Sequence, residues 1–319
     1  MSSLLDKIKS GPQTRPHLVG LYGPGGVGKS TFAAGAPKPI FIGTDDGCAT
    51  LDVASFPIPK TWLELNAQID TLQNEKHDYE TAVLDTINGF EPLLWAHICL
   101  EHKCGSIEDV DGGWGKGYVR AYEYWVEFWK KLKILRKKMH VIALGHAKEK
   151  TIVDILEGER FDRYLIKMND EAAKLFHESV DSMFFANFVT DFRKEKGAKK
   201  ARAFGDGKRV IYTQERPWFM AKSRFDLPFE MDLSWDAFFA AAKVQKTRST
   251  NDELAAIFDG IEDQANSYLI DKDWIKEGQT WRDLMESRRK PIINRADDFR
   301  NAVKNFATER EEQSNPQPE

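Results

Sequence analysis

The chain has 319 residues, 41% of them hydrophobic and 30% charged, with a formal net charge of -4 at pH 7. That is enough for one α/β core of roughly 200 to 250 residues plus an appendage, and it excludes a globally basic protein, so any nucleic-acid contact must rest on local patches. No apolar run has membrane-spanning length, and Cys48, Cys99 and Cys104 do not make a disulfide framework, so a soluble protein of a reducing cytoplasm without a membrane partner is expected.

Residues 1–14 form an N-terminal segment with a short helix over 3–10, broken by Gly11-Pro12. The apolar run Leu18-Val19-Gly20-Leu21-Tyr22 predicts a buried strand. It leads into Gly23-Pro24-Gly25-Gly26-Val27-Gly28-Lys29-Ser30-Thr31, which fills every fixed position of the phosphate-binding pattern G-x-x-x-x-G-K-[ST] ahead of a helix-like start, Thr31-Phe32-Ala33-Ala34. Glycines let the backbone turn tightly and aim bare N–H groups at phosphate oxygens. Lys29 supplies a point charge for the β- and γ-phosphates, Ser30 a hydroxyl ligand for Mg²⁺, and Thr31 caps nearby, so a nucleoside triphosphate is the expected ligand.

Pro39-Ile40-Phe41-Ile42-Gly43 reads as a parallel strand ending at Asp45-Asp46-Gly47, and Trp62 to Gln73 as an amphipathic helix. Tyr79 to Thr86 predicts a strand that ends in Asp85, and a carboxylate at that end lies beside the phosphate loop, where it holds the Mg²⁺ shell. Residues 88–103 look helical. His97, Cys99, His102 and Cys104 are metal-capable types there, but they match no structural zinc spacing, and buried free Cys is the competing reading.

A Gly- and Asp-rich stretch, 105–117, contains Trp114 and Lys116 and feeds a helix from Tyr118 to about Lys138. On it Tyr118, Tyr122, Trp125, Phe128, Trp129, Leu132 and Leu135 recur at helical steps, as a core face does, and the lysines near its end read as a solvated face. His140 to His146 is a further buried strand. Its terminal histidine is either a sensor of the γ-phosphate or a satisfied strand-end residue.

Residues 147–171 alternate cations and aromatics around Arg160, Phe161, Arg163 and Tyr164, a pattern shared by a single-strand groove and by a strand with one buried face. After a helix over Glu171–Val180 and a strand over Ser182–Phe188 comes the most basic stretch: Arg193, Lys194, Lys196, Lys199, Lys200, Arg202, Lys208 and Arg209. Gly205-Asp206-Gly207 suggests that it is a β-hairpin, either a solubilising tip or a nucleic-acid contact. Lys222 and Arg224 share one face of an extended segment before Pro228. Residues 245–252 read as a linker, 253–306 as a helical module, and 307–319 as too polar to pack.

In this order the motifs resemble a RecA-type ATPase over residues 15–244, and more closely the compact phage RecA-like proteins that act as ATP-dependent single-strand annealing recombinases. The resemblance implies an α/β core with a central, mostly parallel sheet flanked by helices, plus a small helical appendage. It also implies a DNA-stimulated ATPase that assembles on single-stranded DNA as a filament or ring, in a bacterial host cytoplasm if the gene is a phage's. Phe41-Ile42-Gly43-Thr44-Asp45-Asp46-Gly47 is similar to the family's second strand, so Asp45, or Asp46 beside it, would activate the attacking water.

The same resemblance makes Val83-Leu84-Asp85-Thr86 the Walker B strand and Ile142-Ala143-Leu144-Gly145-His146 the sensor strand. It makes 105–117, with Trp114 and Lys116, and the segment after His146 the DNA-binding loops. Lys222 and Arg224 resemble the family's paired cations that reach the neighbouring subunit's nucleotide. The region after 245 would bind a partner such as a single-strand-binding or other replication protein. A nucleotide or small-molecule kinase and a helicase-loading or packaging ATPase share the phosphate loop and stand as alternatives.

Overall fold

The computed structural model describes residues 15–154, 158–189, 191–193, 202–204, 207–244 and 250–314. The chain divides into two compact units, Met1–Ala242 and Lys243–Glu319.

The first unit is built on the strands β1 (Leu18–Gly23), β2 (Pro39–Gly43), β3 (Ala54–Ser55), β4 (Thr81–Asp85), β5 (His140–Val153), β6 (Arg160–Ile166), β7 (Ser182–Phe188), β8 (Asp191–Arg193), β9 (Arg202–Phe204), β10 (Arg209–Tyr212), β11 (Lys222–Ser223) and β12 (Glu230–Asp232). The main sheet runs β12-β10-β7-β1-β5-β4-β2-β3. The strands from β7 to β3 are parallel. On β7, β10 and β11 pair antiparallel.

Both sides of this sheet are covered, which is why β1 and β4 are buried at every position and β4 is apolar between Thr81 and Asp85. Successive residues alternate between two cores. Leu18 and Tyr22 of β1, with Ala82 and Leu84 of β4, face the helices α2 (Trp62–Asn74), α3 (Phe90–Glu101), α4 (Lys116–Leu135) and α5 (Asp170–Ser179). Val19, Leu21 and Val83 face the opposite layer, which contains α1 (Lys29–Ala34) and α6 (Trp235–Val244).

The aromatic stripe of α4 is core along most of its length. Trp125, Phe128 and Trp129 are buried, with Trp129 stacked on Phe176 at 5.0 Å between centroids and Trp62 edge-on to Trp125 at 5.5 Å. Tyr122 departs from that reading, because the buried face passes through Ala121 instead and leaves the tyrosine exposed.

Three expectations change. β5 does not stop at His146 but continues to Val153 and pairs with β6 from Ala147↔Ile166 to Val153↔Arg160, so the mixed segment is an antiparallel arm. The basic stretch forms an antiparallel ladder between β8 and β9, both ahead of Gly205, and β10 pairs with β7 instead, while Gly205 and Asp206 of the expected turn lie outside the described residues. In the second unit, α7 (Thr250–Phe258), α8 (Glu262–Asp271), α9 (Glu286–Asn294) and α10 (Ala296–Ser314) enclose Leu254, Phe258, Leu269, Trp281 and Val303. There α10 stays helical to Ser314, beyond the expected limit, while exposing Thr308, Glu309 and Arg310. The helix expected over 3–10 and most of the linker, 245–249, lie outside the described residues. No helix among the described residues is long and apolar enough to cross a membrane.

Candidate nucleotide-binding site

Parallel strands bring their C-terminal ends to one edge of the sheet. Register aligns Gly23 with His146, Asp85 with Leu144, and Gly43 with Asp85. The phosphate loop, the end of β4, the middle of β5 and the turn after β2 therefore meet there, as expected of a ligand crevice in an α/β sheet.

Two glycines of the loop are fixed by geometry. A Cβ on Gly23 would lie 2.3 Å from the Ala186 carbonyl oxygen, and Gly28 has φ 106, a left-handed value that side chains disfavour. Pro24 is half-buried, Gly25 and Gly26 are exposed, and Val27 is buried beneath the loop. Thr31 is exposed at the start of α1.

Lys29 is buried, and its ammonium donates to the carbonyls of Gly23 at 3.1 Å and Pro24 at 2.9 Å. Two of its three N–H bonds are thus engaged, which leaves one for a phosphate oxygen. Burial lowers its pKa, and Asp85 opposes that shift.

The Ser30 hydroxyl donates to Asp85 Oδ2 at 2.6 Å. Burial raises the Asp85 carboxyl; the Ser30 bond opposes this, Asp45 adds to it, and Lys29 and His146 work against it. A hydroxyl and a carboxylate in contact are the hard oxygen donors that Mg²⁺ takes, and a carboxylate penalised by burial is relieved by a cation, so Ser30 and Asp85 fit that metal. When bound, Mg²⁺ neutralises charge on the β- and γ-phosphate oxygens.

His146 is half-buried and its pKa is lowered, first by burial and then by Lys29. Its backbone N–H donates to Asn88 Oδ1 at 2.9 Å. Asp45 is exposed, accepts from the Gly47 N–H at 2.9 Å, and is close enough that its charge acts on both Asp85 and His146. Asp46 is exposed next to it.

Lys222 and Arg224 sit elsewhere. β11 pairs with Met183 and Ser182 at the start of β7, which lies beside Gly20 and Val19 of β1. From Gly20 to Gly23 is about 10 Å of strand, so these cations lie toward the edge opposite their own phosphate loop. Arg224 pairs with buried Asp181 at 3.1 Å, a carboxylate it shares with Arg136 at 2.5 Å and Arg15 at 3.3 Å. Lys222 is half-buried, and burial followed by Arg224 lowers its pKa.

The DNA-binding candidates come from several elements. Trp114 is 97% exposed, in a left-handed run from Asp111 to Gly115. Lys116 starts α4 and donates to the Asp111 carbonyl at 2.8 Å. Arg160 is exposed and Phe161 half-buried on β6. Arg163 pairs with Glu215, and the Tyr164 ring stacks on Phe185 at 5.1 Å while its carbonyl accepts from the Tyr22 hydroxyl at 3.3 Å. Lys199 and Lys200 lie outside the described residues, and the backbone of Arg202 pairs with Arg193 in β9. His97 pairs with Glu101 and His102 with Asp111, and no group of three or more metal-capable side chains occurs among the described residues.

Two residues that sequence reasoning passed over tie the turn after Asp85 to the β5–β6 arm. Asn88 holds His146 at the arm's entry, and buried Glu91 accepts from the Asn169 N–H at 3.0 and 3.2 Å just past its exit. Burial raises the Glu91 carboxyl, with the Asn169 bond opposing. Their only local signal was polarity right after a strand-ending acid.

A glycine-rich loop with its lysine, a serine–aspartate pair and a histidine in the middle of β5, together on one edge of a covered parallel sheet, are the parts of a P-loop nucleoside triphosphatase. Compared with known protein families, residues 15–225 match the AAA domain family. The chain belongs to that family and is a nucleotide-binding ATPase of the P-loop AAA type. A comparison with curated proteins finds no match.

Proposed function

We propose that this ATPase binds single-stranded DNA, assembles on it as a homo-oligomer, and hydrolyses ATP at subunit interfaces to promote annealing or strand exchange. One observation carries the reading: β5 is a single strand from His140 to Val153, so the segment bearing His146 beside Lys29 and Asp85 is continuous with an arm that projects past the sheet. A displacement of His146 on loss of the γ-phosphate is then passed along a rigid strand to the arm, with Asn88 and Glu91 anchoring its base. The arm and the turn below it carry exposed Arg160 and Lys167, and Lys148 and Lys150 paired with Asp170, cations suited to a phosphate backbone that would compete with that carboxylate.

In this proposal Lys29 and the loop N–H groups hold the phosphates, and Ser30 and Asp85 hold the metal. Asp45, or Asp46 next to it, takes the proton of the attacking water. Lys222 and Arg224, turned away from their own loop, serve the nucleotide of the next copy as charge stabilisers. Trp114 and Lys116 at the start of α4, with the β5–β6 arm, would contact the strand.

The test is the ATPase rate with and without single-stranded DNA, alongside electron microscopy with an ATP analogue. The expected outcome is stimulation and a DNA-dependent filament or ring, with stimulation lost in Lys222→Ala plus Arg224→Ala. A monomer unchanged by DNA would refute the proposal.

A further inference from the structure

One arginine of the basic stretch does not join the β8–β9 ladder. Arg209 opens β10 opposite Phe188 of β7, with its guanidinium carbon 5.8 Å from the centre of the Phe188 ring. The same side chain lies against the phosphate loop. A Cβ on Gly28 would be 3.2 Å from Arg209 Nη1 and 3.8 Å from its Cδ, with Leu233 Cδ2 at 3.3 Å. Arg163 and Arg224 are each held by a carboxylate, whereas Arg209 is exposed and makes no ion pair among the described residues.

Strand order says which part of a nucleotide this cation meets. Across the sheet the sequence is β4 with Asp85, β5 with His146, β1 with the loop, β7 with Phe188, and β10 with Arg209. A metal held by Ser30 and Asp85 would neutralise the terminal phosphates, so the γ end would lie toward β4 and β5. The phosphate chain would then cross the loop away from Asp85, with the α-phosphate and nucleoside toward β7 and β10. A guanidinium can stack on an aromatic ring with its face while its edge donates to phosphate oxygens, which an ammonium cannot do.

We propose that Arg209, backed by Phe188, is the cation on the nucleoside side of the site and pairs with the α-phosphate of the bound nucleotide. The proposal rests on the ATP-site reading above and adds a contact common to ATP and ADP, unlike a cation that reads the γ-phosphate.

Calorimetric titration of the full chain with Mg²⁺–ADP and with a non-hydrolysable Mg²⁺–ATP analogue tests it. Arg209→Ala should weaken both nucleotides by a similar factor, about tenfold, and Arg209→Lys should recover part of the loss. Thermal unfolding without nucleotide, unchanged for an exposed position, separates a binding defect from a folding one. Wild-type affinity for ADP in Arg209→Ala overturns the proposal. So does a loss confined to the ATP analogue, which would place the contact on the γ-phosphate. If the wild type binds neither nucleotide, the ATP-site reading itself has failed.

Discussion

Asp181→Asn is the sharpest probe of how the edge opposite the phosphate loop is built. The carboxylate is 4% exposed; its Oδ2 is 2.5 Å from Arg136 Nη2 and accepts from the Leu18 N–H at 3.4 Å. Arg136 is also buried, its Nε donates to the Pro16 carbonyl at 3.0 Å, and burial lowers its pKa against the pull of Asp181. The contact with Asp181 is a close charge pairing and not an aligned hydrogen bond, so loss of the charge matters more than loss of an acceptor. Removing one partner of a buried pair costs about 3–5 kcal/mol. The amide keeps the shape and one oxygen, which favours the low end, about 3 kcal/mol. Arg15 and Arg224 have side chains 52% and 57% exposed and add little. For a unit of this size, a loss of about 3 kcal/mol lowers the melting temperature by about 6–12 °C. Arg224→Ala, by contrast, should cost under about 1 kcal/mol, since its pairing is screened by solvent. Differential scanning calorimetry of both variants decides: a fall under about 2 °C for Asp181→Asn, or equal falls for the two, would refute the reasoning. The expected contrast also makes Arg224→Ala a clean functional variant, because its effect on hydrolysis would not be a folding effect.

Two further outcomes follow from the site and the core. Lys29→Ala or Asp85→Asn should cut ATP hydrolysis by about a hundredfold or more, since each removes a charge set where negative charge develops, and a steady-state phosphate-release assay measures it. Stability should fall on acidification because of His17, which stacks on His140 at 5.3 Å and whose N–H donates to His140 Nδ1 at 2.9 Å. Burial first, then His140, lowers its pKa from 6.5 to about 4. The unfolded chain therefore takes up the proton first. The stabilisation is fully present above pH 6.5 and is lost as pH falls toward about 4. The full shift is worth about 3 kcal/mol, or about 2 kcal/mol after solvent screening, and His17→Gln should flatten that part of a urea-midpoint profile against pH.

What was legible in the sequence was whatever the chain carries contiguously. The phosphate loop is nine adjacent residues whose spacing is itself the geometry. The place of Asp85 at the end of β4 is legible because a carboxylate ending a buried strand is a local pattern, and the α4 stripe because 3.6-residue periodicity is local as well. What escaped depends on partners distant in sequence. Lys148-Glu149-Lys150-Thr151 reads as a polar loop until Arg163 and Asp162 are seen opposite Lys150 and Thr151 in the β5–β6 ladder. The cation–aromatic alternation around Tyr164 fits a base-stacking groove as well as it fits a strand, and only Phe185, on a different strand, turns that ring toward the core. Lys222 and Arg224 were visible as charges, but the edge of the sheet they occupy is set by the antiparallel pairing of β11 with β7. Arg209 is the clearest case, since in sequence it is one cation among eight. Its distinction comes from Phe188 across the ladder and from Gly28, far back in the chain, whose missing side chain leaves room for a guanidinium beside the phosphate loop. The glycine that motif reading assigns to backbone curvature thus also opens the loop to a second cation, a role the motif alone does not express.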